Sequence, residues 1–317
     1  MTRVICVHGV GQQHSGEHDQ HDRWFPALND GLLRAEAPPF AAEAVRCVFY
    51  GDLFRPPGRP LAWQDPLFDA EDVDDPYERE LLESWWREAA ATDPNVMPPG
   101  GRELARAPRS AQTALAALSR SRFFAGLAMR SLIFDLKQVR RYFTEDGVRE
   151  AVRARLLDAL DEEGEIQAVV AHSLGTVVAY EALAARPERP VGALVTLGSP
   201  LGIRHLVFDR LHIPRQPRPG RLLETAAATP GDCRPESVVD APDASTFAGA
   251  WPGGARSWTN IADAGDVVAL VKDLSPLFGP RVRSHIVHNG SHAHDAARYL
   301  SAKETGRAIV DGHRATR

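Results

Sequence analysis

Residues 169–180 read VVAHSLGTVVAY, an apolar run, Ser173 between His172 and Leu174, a glycine and a second apolar run. With the preceding IQ, the first run is the near-continuous hydrophobic stretch of a strand buried on both faces. The second, TVVAYEALAA, is apolar along one helical stripe. A serine on so sharp a strand-to-helix turn is lifted above the sheet edge, as a nucleophile requires. Such a turn also demands small residues two positions before and after it, because neighbouring backbone comes close. Ala171 and Gly175 meet that demand, alanine adding one methyl to the usual glycine. A serine here can equally serve as a plain helix cap, and this stretch alone leaves both readings open.

Working outward, short runs rich in β-branched residues recur at Val4–His8, Ala44–Tyr50, Ile166–Ala171, Val191–Leu197, Ser257–Ala262 and Val282–His288. Between them lie helical patterns at Trp24–Ala35, Val148–Glu162, Thr176–Ala185 and Arg298–Asp311. This alternation predicts an α/β fold, a doubly wound and mostly parallel sheet in a single domain over 1–317. Residues 54–143 break the rhythm with RPPGRP, the acidic DAEDVDDPYERE and helical stretches around Leu81–Ala91, Thr113–Leu118 and Phe123–Phe143. They are too many for a crossover and read as a helical insertion or lid within the domain. Residues 209–256, rich in Pro and Gly, read as an irregular surface excursion.

A net charge of −5 argues against a phosphate-backbone binder, so no nucleic-acid partner is expected. The basic residues at 102–109 and 137–155 alternate with apolar ones at helical spacing and read as solvated helix faces. Three cysteines far apart, Cys6, Cys47 and Cys233, are an odd number and indicate no disulfide framework. MTRVICVHG runs straight into a strand without a signal-peptide pattern, and no apolar stretch approaches the ~20 residues of a transmembrane segment. A cytoplasmic location is expected.

Four further stretches bear on chemistry. RVICVHGVGQQ is a strand ending in His8, Gly9 and a second glycine; TLGSPLG at 196–202 follows another strand. After SWTNIA comes DAGDVVAL, with Asp263 and Asp266, and after the last strand HAHDAARYL carries His292 and His294 in a loop entering a helix. HGVG at 8–11, AHSLG at 171–175, TLGSPLG, DAGD at 263–266 and HAHDAARYL at 292–300 together resemble the α/β-hydrolase superfamily, nearer its lipase and esterase branches. The resemblance touches neither 54–143 nor 209–256, the regions that select substrates.

The resemblance implies a serine hydrolase acting on carboxylic esters. Ser173 would be the nucleophile, followed in the chain by the acid and then the base. Asp266 is favoured as acid because Asp-Val-Val resembles the acid loop of many lipases; Asp263 is the reserve and otherwise caps a turn. His294 is favoured as base because it stands where the loop enters the helix, with His292 in reserve. The amides of Val10 and Leu174 would form the oxyanion hole, with His8, Gly9, Ala171, His172 and Gly175 shaping the turns. His285 and His288 belong to the strand and read as packing groups or as groups supporting the site from behind its first contacts. The expected partner is a small-molecule ester or acyl substrate, with no cofactor and no metal. Oligomeric state stays open.

Alternatives remain on the same residues. The same triad serves a thioesterase or a peptidase/amidase, and a non-catalytic binding or scaffold protein can retain the fold. HSGEHDQHD places His14, His18 and His21 among acidic residues, ligand types that a helix would align, but Gly16 and the polar density read as a loop. Trp85, Trp86, Phe123 and Phe124 could line an acyl pocket; their plainer reading is helix core.

Overall fold

The computed structural model describes residues 4–55, 68–100, 107–121, 129–212 and 249–314. Six strands, β1 (Val4–Val7), β2 (Val45–Val48), β3 (Ile166–His172), β4 (Val191–Leu197), β5 (Ala255–Asp263) and β6 (Val282–Val287), form one sheet in the order β2-β1-β3-β4-β5-β6. Every pairing is parallel. All six apolar runs therefore become strands, and β3 and β4 are buried at every residue, as their unbroken hydrophobicity requires.

Helices cover both faces. On one side lie α1 (Glu17–Arg34), α8 (Ala296–Leu300) and α9 (Lys303–Arg314), with Trp24, Leu28, Tyr299 and Ile309 packed on Val4, Cys6, Val170 and Val195. On the other lie α5 (Asp146–Glu162) and α6 (Leu174–Ala185), together with α2 (Pro76–Thr92), α3 (Ala107–Leu118) and α4 (Met129–Thr144). These last three fall within the insertion. Trp85, Trp86, Leu115 and Ile133 of the insertion share one continuous core with Ile5, Val169 and Leu156, so it is packed onto the domain. A short α7 (Ser275–Phe278) precedes β6. No helix among the described residues is long and apolar enough to cross a membrane.

From β1 the chain moves outward to β2, then returns to the other side of β1 as β3. The loops after β1 and β3 thus diverge to opposite faces, and the crevice between them at the strands' C-terminal edge is where open α/β sheets bind ligands. The register is level there: Val7 pairs with Ala171, His172 with Leu197, and Asp263 with Val287.

Several expectations need correction. HSGEHDQHD is a loop only as far as Gly16; α1 begins at Glu17, with acidic Glu17 and Asp19 in its first turn favouring the helix dipole. The C-terminal helix is broken into α8 and α9 near Ser301, where a Cβ at Gly31 would lie 2.2 Å from the Leu300 carbonyl oxygen, so α1 crosses too closely for side chains. His285 and His288 are exposed on and just beyond edge strand β6 rather than packed. Phe123, Phe124, Cys233, the stretch 102–106 and most of 209–256 lie outside the described residues.

The basic segment 137–155 is not a solvated face. Arg149 is 2% exposed and grips Glu181 of α6, which also accepts from Tyr142 Oη of α4 at 2.8 Å and from the His212 amide at 2.8 Å. Lys137 and Arg140 both donate to Glu78 of α2. Removing one partner of a buried pair strands the other's charge. Glu181→Ala is therefore expected to lower unfolding free energy by about 3–5 kcal/mol, measured by urea denaturation, against a smaller loss for Glu181→Gln.

Candidate active site

Ser173 caps α6 with φ 54° and ψ −130°; among the described residues only Glu36 shares a positive φ without being glycine. Such a conformation costs about 1–3 kcal/mol and persists only where surroundings impose it. Here they do. The Ser173 amide donates to the Leu197 carbonyl at 3.0 Å, and its own carbonyl accepts from both the Thr176 amide and hydroxyl, at 2.9 and 2.7 Å. Gly175 explains the tightness: a Cβ there would stand 2.3 Å from the His8 carbonyl oxygen and 2.5 Å from that of Val7. Gly9 lies on the serine itself, since its Cβ would fall 2.7 Å from Ser173 Cβ and 3.2 Å from Oγ. Ala171 is fully buried, as the small-residue requirement anticipates.

The loop His8–Gly9–Val10 thus crosses beside Ser173. Leu174 opens α6, so its amide is one of those the helix leaves without an internal partner. His8 is a brace. Its Nε2 accepts from the Tyr50 amide at 3.1 Å, which leaves the proton on Nδ1 to donate to the Gly9 carbonyl at 2.7 Å. Burial lowers its pKa to about 4.

Asp266 is fully buried, and its carboxylate is held from four sides. Oδ1 accepts from the amides of Val268 (2.8 Å) and Ala269 (3.2 Å); Oδ2 accepts from His294 Nδ1 (2.8 Å) and Tyr299 Oη (2.7 Å). Burial alone would raise its pKa, but the charge and hydrogen bond of His294, with Tyr299 and Lys272, outweigh burial and hold it below the usual carboxylate range. Gly198, at φ +55°, makes room for the pair: a Cβ there would be 2.8 Å from Asp266 Oδ2 and 3.0 Å from His294 Nδ1. The structure thus joins His294 to Asp266. Asp263 instead accepts from the amides of Gly265 and Asn289, tying the loops after β5 and β6, while His292 is exposed.

His294 stands against the ring of His172, the chain neighbour of Ser173, with centroids 4.5 Å apart. Burial, reinforced by the charge of His294, lowers the pKa of His172 to about 3.

The insertion reaches this edge. Gln138 of α4 accepts from the Gly11 amide at 3.2 Å and donates to Gln13 at 3.0 Å, bracing the loop after β1. A cavity of about 330 Å³ opens between the ends of α2 and α3 and the loops after β5 and β6, lined by Thr92, Asp93, Ser121, Gly265, His288 and Ala293. Trp85 and Trp86 are buried in the insertion's core, Trp86 Nε1 donating to the Met97 carbonyl. His18 and His21 lie on α1, His21 stacked on Phe25. Among the described residues no group of three or more His, Cys, Asp or Glu is placed to hold a metal ion.

Tyr50, Gln138, Tyr299 and Asp135 of α4 escaped the sequence reading. Tyr299 sits in the quoted HAHDAARYL, five residues after His294, a spacing that could have flagged it.

No family model and no curated protein matches the chain.

His8 and His172, neutral in the fold, take up protons on unfolding below the ordinary histidine value of 6.5. The unfolded state then binds more protons, so stability rises with pH across this window. Thermal unfolding followed from pH 7 to 4.5 should show stability falling by about 1.4 kcal/mol per pH unit for each histidine once below its unfolded pKa. His172→Gln should flatten that slope.

Proposed function

We propose that the protein is a serine hydrolase of the α/β-hydrolase fold that cleaves carboxylic esters through an acyl-enzyme. The observation that carries this reading is the backbone of Ser173: a serine held at positive φ on a strand-to-helix turn, at the sheet's switch point, beside a histidine–carboxylate pair. A helix cap alone needs no such strain, because ordinary caps use extended backbone. Strain of this kind belongs with functional sites.

In this mechanism His294 Nε2 takes the proton of Ser173 as Oγ attacks the ester carbonyl. Asp266 fixes the imidazole with its proton on Nδ1 and stabilises the imidazolium that forms. The amides of Val10 and Leu174 donate to the tetrahedral oxyanion. The carbon–oxygen bond of the ester breaks as His294 gives its proton to the leaving alcohol. Water, activated by the same imidazole, then releases the acid and regenerates Ser173. The cycle needs neither metal nor organic cofactor. Cys6 and Cys47, free thiols in register on adjacent strands, suit a reducing, cytoplasmic setting.

A fluorophosphonate probe should label the wild type and fail on Ser173→Ala; equal labelling of both would sink the proposal. Asp266→Asn should lower kcat on p-nitrophenyl esters by about 10³- to 10⁴-fold, because the imidazole loses its orienting acceptor.

A further inference from the structure

Asp135 is unlike the other inward carboxylates. Glu78, Glu181, Asp52, Asp263 and Asp266 each accept two or more hydrogen bonds from protein groups. Among the described residues none donates to Asp135, although it is partly buried. Its position is specific. One turn before Gln138 on α4, it aims Oδ1 at the loop after β1, where a Cβ on Gly11 would lie 3.2 Å away. That loop carries Val10. The charge of His294, on the far side of the sheet order, reaches it too, and His294 is the titratable group among the described residues that does so.

A carboxylate left without donors carries a desolvation cost that a ligand can relieve. Beside an oxyanion it would oppose catalysis unless a positive group stood between them. Because His294 Nδ1 is taken by Asp266, Nε2 is the nitrogen that would meet the leaving group, and a cation paired with Asp135 would stand beside Gly11, next in the chain to Val10.

We infer that Asp135 reads the substrate, pairing with a cationic ammonium group on the leaving-group side of the scissile ester. This deepens the hydrolase reading and rests on it. Burial raises the Asp135 pKa to about 7, the charge of His294 opposing the rise, so the carboxylate is fully charged only in mildly alkaline solution. A bound cation would draw it down.

The test compares choline butyrate with its neutral isostere, 3,3-dimethylbutyl butyrate. At pH 8.5 the wild type should prefer the cationic ester in kcat/KM by about tenfold or more, a fraction of the Coulomb attraction available at a partly screened site. Asp135→Asn should bring the ratio close to one and Asp135→Glu should restore part of it, with thermal unfolding checking that each variant is folded. Lowering the pH through about 7 should erode the wild-type preference as Asp135 protonates; both esters need the same base, so the ratio cancels its titration. If Ser173 is labelled by fluorophosphonate but wild type and Asp135→Asn show the same ratio, the inference falls and the hydrolase reading stands. If Ser173 is not labelled, the hydrolase reading falls, and calorimetric titration with choline decides the carboxylate. Tighter binding to wild type than to Asp135→Asn then supports the cation site, and equal affinity overturns it.

Discussion

The close approach between the first turn of α6 and the end of β1 governs the candidate site. At Gly175 there is no room even for a methyl group beside the carbonyls of Val7 and His8. With α6 pressed that far in, the chain has one residue in which to turn from β3 into the helix, and Ser173 takes the positive φ that results. The strain is sustained by three backbone-directed hydrogen bonds around the serine and by the packed strands beneath it. Gly9 and Gly198 repeat the economy at neighbouring strand ends, one against the serine and the other against the acid–base pair.

Charge placement follows a second logic. Burying a carboxylate is unfavourable unless donors replace water, and Asp266 and Glu181 are each surrounded by four. One arrangement orients an imidazole; the other clamps α4, α5 and α6 together, which keeps the insertion seated on the domain. His8 and His172 solve the problem differently, staying neutral as part of the packing around the serine and the imidazole. Asp135 stands apart because none of the described residues donates to it. Gln138, on the same helix, gives the insertion a hold on the loop that flanks the serine.

The strands and the order of the motifs were legible because both are written locally. Unbroken apolar runs announce strands covered on two faces, and the glycines at 9, 175 and 198 mark turns where backbones meet. Asp266 is preferred over Asp263 for its likeness to a lipase acid loop and His294 over His292 for its place at the helix entrance, and the fold brings Asp266 and His294 together at 2.8 Å. Helix limits were less legible. Polar density around His18 hid the first turns of α1, and the close crossing at Gly31 that splits α8 from α9 depends on a segment some 270 residues away in the chain.

By itself, the sequence determined a parallel α/β architecture with a helical insertion, and a serine on a strand-to-helix turn with acidic and histidine loops behind it. Periodicity and small-residue spacing carry that information within a few residues of each feature. Only the tertiary structure decided which groups meet: Arg149 with Glu181, Tyr299 with Asp266, and Asp135 with the turn at Gly11. The physical reason is that solvation and pairing belong to the space around a group. An arginine or aspartate on a helical stripe reads the same in sequence whether it faces water or a partner from a distant strand.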